Sequence, residues 1–266
     1  MELPRIGLGT WDLRGPQCTK IVRLALELGY QHIDTASMYE NHQAIHEVIK
    51  DFDRTKIYLT SKIAIKEQVD PVAPELSVQK ACEQTLKELG TDFLDLYLIH
   101  APDRTFPLEN IFKALERLVL EGKIRKAGVS NYTIHHLEDL RKAGCTPFVN
   151  QIEFHPYLYQ KQLLDYCRLH HIEVVAFRPF GKGKLLTEEP LFDEIGAKHQ
   201  KSGAQIILRW LLQKDIAVIP KASSEKHLKE NLELFDFSLT DEDMFILDHL
   251  NSNKRYCREE SLEYLY

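Results

Sequence analysis

Two hydrophobic periods take turns along this chain. Short β-rich runs occur at 6–11 (IGLGTW), 32–36 (HIDTA), 57–63 (IYLTSKI), 94–100 (LDLYLIH), 126–131 (KAGVSN), 149–154 (VNQIEF), 174–180 (VVAFRPF) and 216–222 (IAVIPKA). Between them, apolar residues recur at three- and four-residue spacing, which marks amphipathic helices. In 18–29, Ile21, Leu24, Ala25 and Leu28 share one face, and the stretch closes on Gly29, a C-cap signal. The stretches 78–90 and 135–144 end on glycine in the same way, and further helices are expected at 109–121, 160–170, 202–213, 224–235 and 241–250.

Eight strands, each followed by a helix, predict a (β/α)8 TIM barrel, and 266 residues is a typical length for one. The rival is a doubly wound open sheet, which wants G-x-G-x-x-G between its first strand and helix. GLGTWDLRG supplies only G-x-G with no helix directly after it, and GKGK at 181–184 lacks P-loop spacing. No linker, repeat or low-complexity segment interrupts the alternation. A single barrel domain over 1–266 is therefore expected.

Composition narrows the function classes. Hydrophobic residues make up 44% of the chain and charged residues 28%, enough to form a core without staples. The net charge is −6 and no basic run exceeds GKIRK (122–126), so no nucleic-acid footprint is expected, and an anionic ligand would need a local basic site. Five cysteines stand at irregular spacing without C-x-x-C, which argues for a reducing compartment. The N-terminus carries no signal-peptide pattern and no apolar run is long enough to span a bilayer, so a cytoplasmic protein without a membrane partner is expected. The surface composition points to a monomer.

In a barrel, functional groups gather at the C-terminal ends of the strands. Side chains alternate along a strand, so His32, Asp34 and Ala36 share a face, as do Tyr58, Thr60 and Lys62, and Leu96, Leu98 and His100. An acid, a base and an imidazole thus end three successive strands, with Tyr39 on the loop leaving the first. Taken singly, each has an ordinary explanation: Asp34 as a helix cap or cation partner, Lys62 as a solvated lysine, His100 as a loop hydrogen bonder. The coincidence of three in register outweighs them. His42 and His46 are spaced i,i+4, but HQAIH lacks the glutamate of a zinc-protease helix, and no metal is expected.

The blocks GLGTW (7–11), GYQHIDTASMYEN (29–41), LTSKI (59–63), DFLDLYLIHAP (92–102), GKIRKAGVSNY (122–132), VNQIEFHPYL (149–158) and VIPKASSEKHLKEN (218–231) resemble, in order and over almost the whole chain, the signature blocks of the aldo-keto reductases. The resemblance implies a monomeric, bacterial-type NAD(P)H-dependent reductase of aldehydes and ketones. Its tetrad falls on Tyr39, Lys62, Asp34 and His100, with Tyr39 as proton donor. For the cofactor it implies Thr10, carboxamide contacts from Ser130, Asn131 and Gln151, and Phe177 stacked on the nicotinamide. It also implies Arg178 near the pyrophosphate, Lys221 at the 2′-phosphate, Ser223 and Ser224 at a helix N-terminus, and Glu230 and Asn231 at the adenine. His227 stands where NADP-preferring members often carry arginine; histidine is mostly neutral at pH 7, so NADPH is expected with NADH possible. The substrate pocket would include Trp11, together with Ala64 and Ala101 where several members carry tryptophans. The C-terminal segment would close the cleft through Tyr256 or through Tyr264 and Tyr266.

An ordinary tyrosine, with a pKa of about 10, is a weak donor near neutral pH. A lysine ammonium about 4 Å away favours the phenolate by about 4 kcal/mol at an effective dielectric near 20. Burial opposes this, leaving a smaller net lowering as the expectation. Two other classes account for part of this pattern. A Schiff-base lyase with Lys62 as nucleophile does not explain the GVSN, NQIE and IPKASS blocks, and a lysine bonded to Asp34 is a poor nucleophile. A cofactor-binding regulatory subunit with slow or no turnover is the alternative that keeps those blocks.

Overall fold

Strands buried on both faces favour apolar residues, and the polar ones these sequences carry, such as Thr60, Lys62 and Asp95, are buried with hydrogen-bond partners. All six residues of Tyr58–Ile63 and all six of Leu94–Ile99 are buried. The structure, a computed structural model, describes residues 2–257. Its strands are β1 (Leu8–Gly9), β2 (His32–Asp34), β3 (Tyr58–Ile63), β4 (Leu94–Ile99), β5 (Ile124–Ser130), β6 (Val149–Glu153), β7 (Glu173–Phe177) and β8 (Ala217–Val218). They pair in parallel in chain order, β1 through β8. A parallel bridge between Ile6 and Val218 closes the sheet, with Gly7 N–H donating to Val218 O at 2.8 Å and Gly9 N–H to Pro220 O at 3.2 Å. The fold is the expected (β/α)8 barrel.

β5 begins two residues before its predicted run, the other strands fall within one residue of theirs, and several ladders stop before the run does. β2 ends at Asp34, β7 at Phe177 and β8 at Val218. The residues past these ends form the loops of the C-terminal face. The inner side of the sheet carries its own apolar plug, in which Tyr58, Leu96, Leu98, Val149, Val175, Ala217 and Ile219 pack together. The larger core lies between the sheet and the surrounding helices.

The eight expected helices form at Gly15–Glu27, Pro74–Leu89, Leu108–Leu120, Ile134–Lys142, Lys161–Leu169, Gly203–Gln213, Glu225–Leu232 and Asp241–Asp248. Four further helices were not foreseen, His42–Ile49, Ile65–Gln68, Lys184–Glu188 and Leu191–His199. The first buries Ile45, Val48 and Ile49. Its two histidines serve packing: His42 Nδ1 lies 2.8 Å from Glu88 Oε2 and Nε2 lies 3.2 Å from Ser61 Oγ, while His46 Nδ1 lies 3.1 Å from Leu89 O. Among the described residues no helix is long and apolar enough to cross a membrane.

Candidate active site

Asp34 closes β2, and Lys62 is the penultimate residue of β3 beside it. Both are buried, to 2% and 1% exposure. Two opposite charges taken out of water must satisfy each other closely. Lys62 Nζ donates to Asp34 Oδ1 at 2.5 Å and to Thr35 O at 2.9 Å. The second Asp34 oxygen accepts Gln151 Nε2 at 2.7 Å from β6. Tyr39 ends a single tight turn, Ser37–Tyr39, directly after β2. That turn is tied down by Ser37 Oγ, which donates to Lys62 O at 3.0 Å and to Gln68 Oε1 at 2.6 Å. The Lys62 ammonium lies 5.2 Å from the centre of the Tyr39 ring. The His100 ring meets that ring edge-on, with centroids 5.7 Å apart.

Charge states follow from these surroundings. Burial alone would lower the Lys62 pKa, but Asp34 and the Tyr39 phenol together raise it, so the group is an ammonium. His100 is pushed down to about 3, first by burial and then by Lys62, which makes it a neutral imidazole. Its Nδ1 is buried without a hydrogen-bond partner. Tyr39 departs from the sequence-based expectation. Burial outweighs the opposing pull of Lys62, and its pKa is raised, not lowered. The phenol therefore stays fully protonated through neutral pH.

The four side chains stand around one end of a cavity of about 470 Å³ at the C-terminal face; Asp34, Tyr39 and His100 line it directly. Its wall includes Ser130, Asn131 and Gln151 at the ends of β5 and β6. Asn131 takes a left-handed φ of 64° and donates through Nδ2 to His100 O at 2.9 Å, so the amide cluster is fixed to the imidazole strand. Ser130 Oγ donates to Gln151 O at 2.8 Å. Phe177, Arg178, Trp11 and Lys221 also line the cavity. The Arg178 guanidinium sits 4.9 Å from the Trp11 ring centre, and Lys221 Nζ is 3.1 Å from Asp12 Oδ2. These groups bridge the loops after β1, β7 and β8.

Other residues singled out in the sequence stand back from this wall. Thr10 is buried behind it, its Oγ1 donating to Asp34 O at 2.9 Å while Asn41 Nδ2 donates to Thr10 O at 3.0 Å. Ser224 caps Glu225–Leu232, its side chain accepting from His227 N at 3.3 Å; Ser223 and His227 are exposed beside it. On the same helix Glu230 faces Lys226 at 3.7 Å, and Asn231 is buried. Ala64 is buried where the helix Ile65–Gln68 begins, its N–H donating to Gln68 Oε1 at 2.9 Å, and Ala101 is half-buried; neither lines the cavity. Tyr256 is buried against His155, whereas Tyr264 and Tyr266 lie outside the described residues. Met38, Phe180, Lys182 and Cys257 line the cavity without having been foreseen. Met38 and Lys182 fall in stretches singled out in the sequence for other reasons, and all four reach the wall through the path of segments outside the strands and α-helices.

The wall fits a nicotinamide dinucleotide by its donor set. Side-chain amides and a hydroxyl suit a carboxamide, an aromatic face suits a planar ring, and three cations (Arg178, Lys182, Lys221) suit phosphates.

The model of the aldo/keto reductase family matches residues 5–252. Glyoxal reductase of Bacillus subtilis (strain 168) is 42% identical over 259 residues, covering 96% of this chain and 91% of that protein. The 9,11-endoperoxide prostaglandin H2 reductase of Trypanosoma cruzi (strain CL Brener) is 37% identical, covering 96% and 90%. Among solved structures, an aldo/keto reductase from Brucella melitensis superposes with a TM-score of 0.86 at 38% identity, covering 94% of this chain and 95% of that one. An aldo-keto reductase from a Medee basin deep-sea metagenome library gives 0.90 at 36% identity, covering 97% and 95%.

Proposed function

The chain belongs to the aldo/keto reductase family, and from that premise we propose that it reduces small aldehydes and ketones to alcohols, with NADPH preferred and NADH usable. The observation that carries this reading is the buried Asp34–Lys62 pair beside the Tyr39 phenol and a neutral His100, all at one end of one cavity. The kinship with a glyoxal reductase makes short dicarbonyls the first substrates to try.

When bound, the cofactor supplies a hydride for the carbonyl carbon. The chain supplies the rest. Ser130, Asn131 and Gln151 would hold the carboxamide, Phe177 would offer its face to the planar ring, and Arg178 and Lys221 would take phosphate charge. Ser223, Ser224 and His227 would border the phosphate end and Glu230 and Asn231 the adenine, and Thr10 supports Asp34 from behind. Neutral His100 has one ring N–H to donate and orients the carbonyl oxygen. Tyr39 O–H gives its proton to that oxygen as negative charge develops there. The raised pKa keeps this donor loaded, and the Lys62 ammonium stabilises the phenolate it leaves. Asp34 keeps Lys62 charged where desolvation alone would neutralise it. Solvent then returns the proton to Tyr39.

The test follows nicotinamide absorbance with each cofactor, with and without glyoxal, methylglyoxal and an aromatic aldehyde. Loss that depends on the carbonyl, faster with NADPH, is expected. Cofactor binding without turnover on any carbonyl would contradict the reading.

A further inference from the structure

Glu153 ends β6 with its carboxylate fully buried, two residues beyond Gln151. A buried carboxylate is costly unless several donors meet it. Here both oxygens are engaged by successive backbone amides of a segment about a hundred residues away. Tyr256 N–H donates to Oε1 at 2.7 Å and Cys257 N–H to Oε2 at 2.9 Å. His155 Nε2 lies 3.1 Å from Oε1, itself fully buried. Burial would raise the carboxyl pKa, yet the bonds from His155 and the two amides hold it below the ordinary range. Bonds from N–H groups to an ionised carboxylate are the stronger kind.

The rest of segment 251–257 rests on the same loop. Ser252 and Lys254 donate their N–H groups to Tyr157 O at 3.2 and 3.0 Å, and Arg255 Nη2 donates to Gln160 Oε1 at 3.0 Å. Gln160 Nε2 returns to Glu153 O at 2.8 Å. The Tyr256 ring packs against His155 and covers Gly181, where a Cβ would come within 2.5 Å of it. So placed, Cys257 forms part of the cavity wall. None of these hydrogen bonds involves Tyr39, Lys62, Asp34 or His100.

We propose that Glu153 is a positioning residue: its carboxylate seats the Tyr256–Cys257 segment so that Cys257 completes the cavity wall, and thereby sets how large a carbonyl the site accepts. The size-selection half rests on the reductase reading above; the anchoring half does not.

The experiment compares wild type with Glu153→Gln, close to isosteric, and Glu153→Ala. Gln keeps one acceptor but sets an NH2 against the other amide. Trypsin can cut after Lys254 or Arg255 only when the segment leaves its seat. Both variants should release it at least about tenfold faster than wild type, with the barrel intact by circular dichroism. If Glu153→Ala does not fold, Glu153→Gln decides. The ratio of kcat/KM for a bulky aromatic aldehyde over methylglyoxal should rise about tenfold. The change should sit in KM, while kcat on methylglyoxal and the cofactor Kd stay within about twofold. A destabilised fold would instead lower kcat on both substrates alike. Equal cleavage rates in all three proteins would overturn the anchor. Faster cleavage with an unchanged substrate ratio would overturn the role in size selection. Proteolysis is read without substrate, so a chain that reduced no carbonyl would refute the reductase reading alone, and the cleavage rates would still decide the anchor.

Discussion

Asp34 accepts both Lys62 Nζ and Gln151 Nε2 while buried to 2% exposure, so its charge is committed on both oxygens. Removing one member of a buried pair leaves the other charge uncompensated, at a cost of about 3–5 kcal/mol. Asp34→Asn should therefore lower unfolding free energy by roughly that amount in urea titrations. Adding Lys62→Met should restore most of the stability but none of the activity, because the Tyr39 phenolate would then have no ammonium beside it. At this scale much was legible: strand alternation placed Asp34, Lys62 and His100 on inner faces at strand ends, and the family blocks picked out Tyr39. The direction of the Tyr39 pKa was not, because it depends on how deeply the phenol is enclosed. Ala64 and Ala101 matched positions in a motif, yet local chain path turns them away from the cavity.

At the scale of elements, the barrel closes where β1 meets the segment after β8. A Cβ on Gly9 would sit 2.5 Å from Ile219 O, so only glycine lets these backbones approach. Gly9→Ala should force the seam apart and destabilise the protein by about 1–3 kcal/mol, measured by denaturant unfolding. Cofactor affinity should fall with it, since Gly9 also lines the cavity. All eight strands were readable because each is a short apolar run bounded by turn residues. The helix His42–Ile49 was not, because eight residues with two histidines give a weak period and its fit depends on Glu88 and Leu89, some forty residues on. The seat of segment 251–257 was hidden for the same reason: Glu153 and Cys257 meet across a sequence separation of 104.

Over the whole molecule, buried titratable groups set a pH window for stability. Burial drives His32 down to about 4 and His100 to about 3, and lowers His42. The unfolded chain binds these protons near pH 6.5 and the native state does not, so stability should fall as pH drops below about 6.5. At the other end, burial raises Cys18, Cys82 and Cys167 to about 12, and raises Tyr30, Tyr39, Tyr58, Tyr97 and Tyr132. A raised pKa preserves stability below the unfolded value and loses it above, so a second decline should start near pH 9–10. Urea midpoints measured from pH 4 to pH 11 should trace a plateau between these limits; a maximum outside it would contradict the assignment of buried neutral groups.

The proton donor is the centre of the account, and Tyr39→Phe tests it most directly because it removes one hydroxyl and leaves the ring. Carbonyl-dependent NADPH oxidation should fall by roughly 10²- to 10⁴-fold, with cofactor Kd unchanged within about twofold. Turnover within a few fold of wild type would contradict the account.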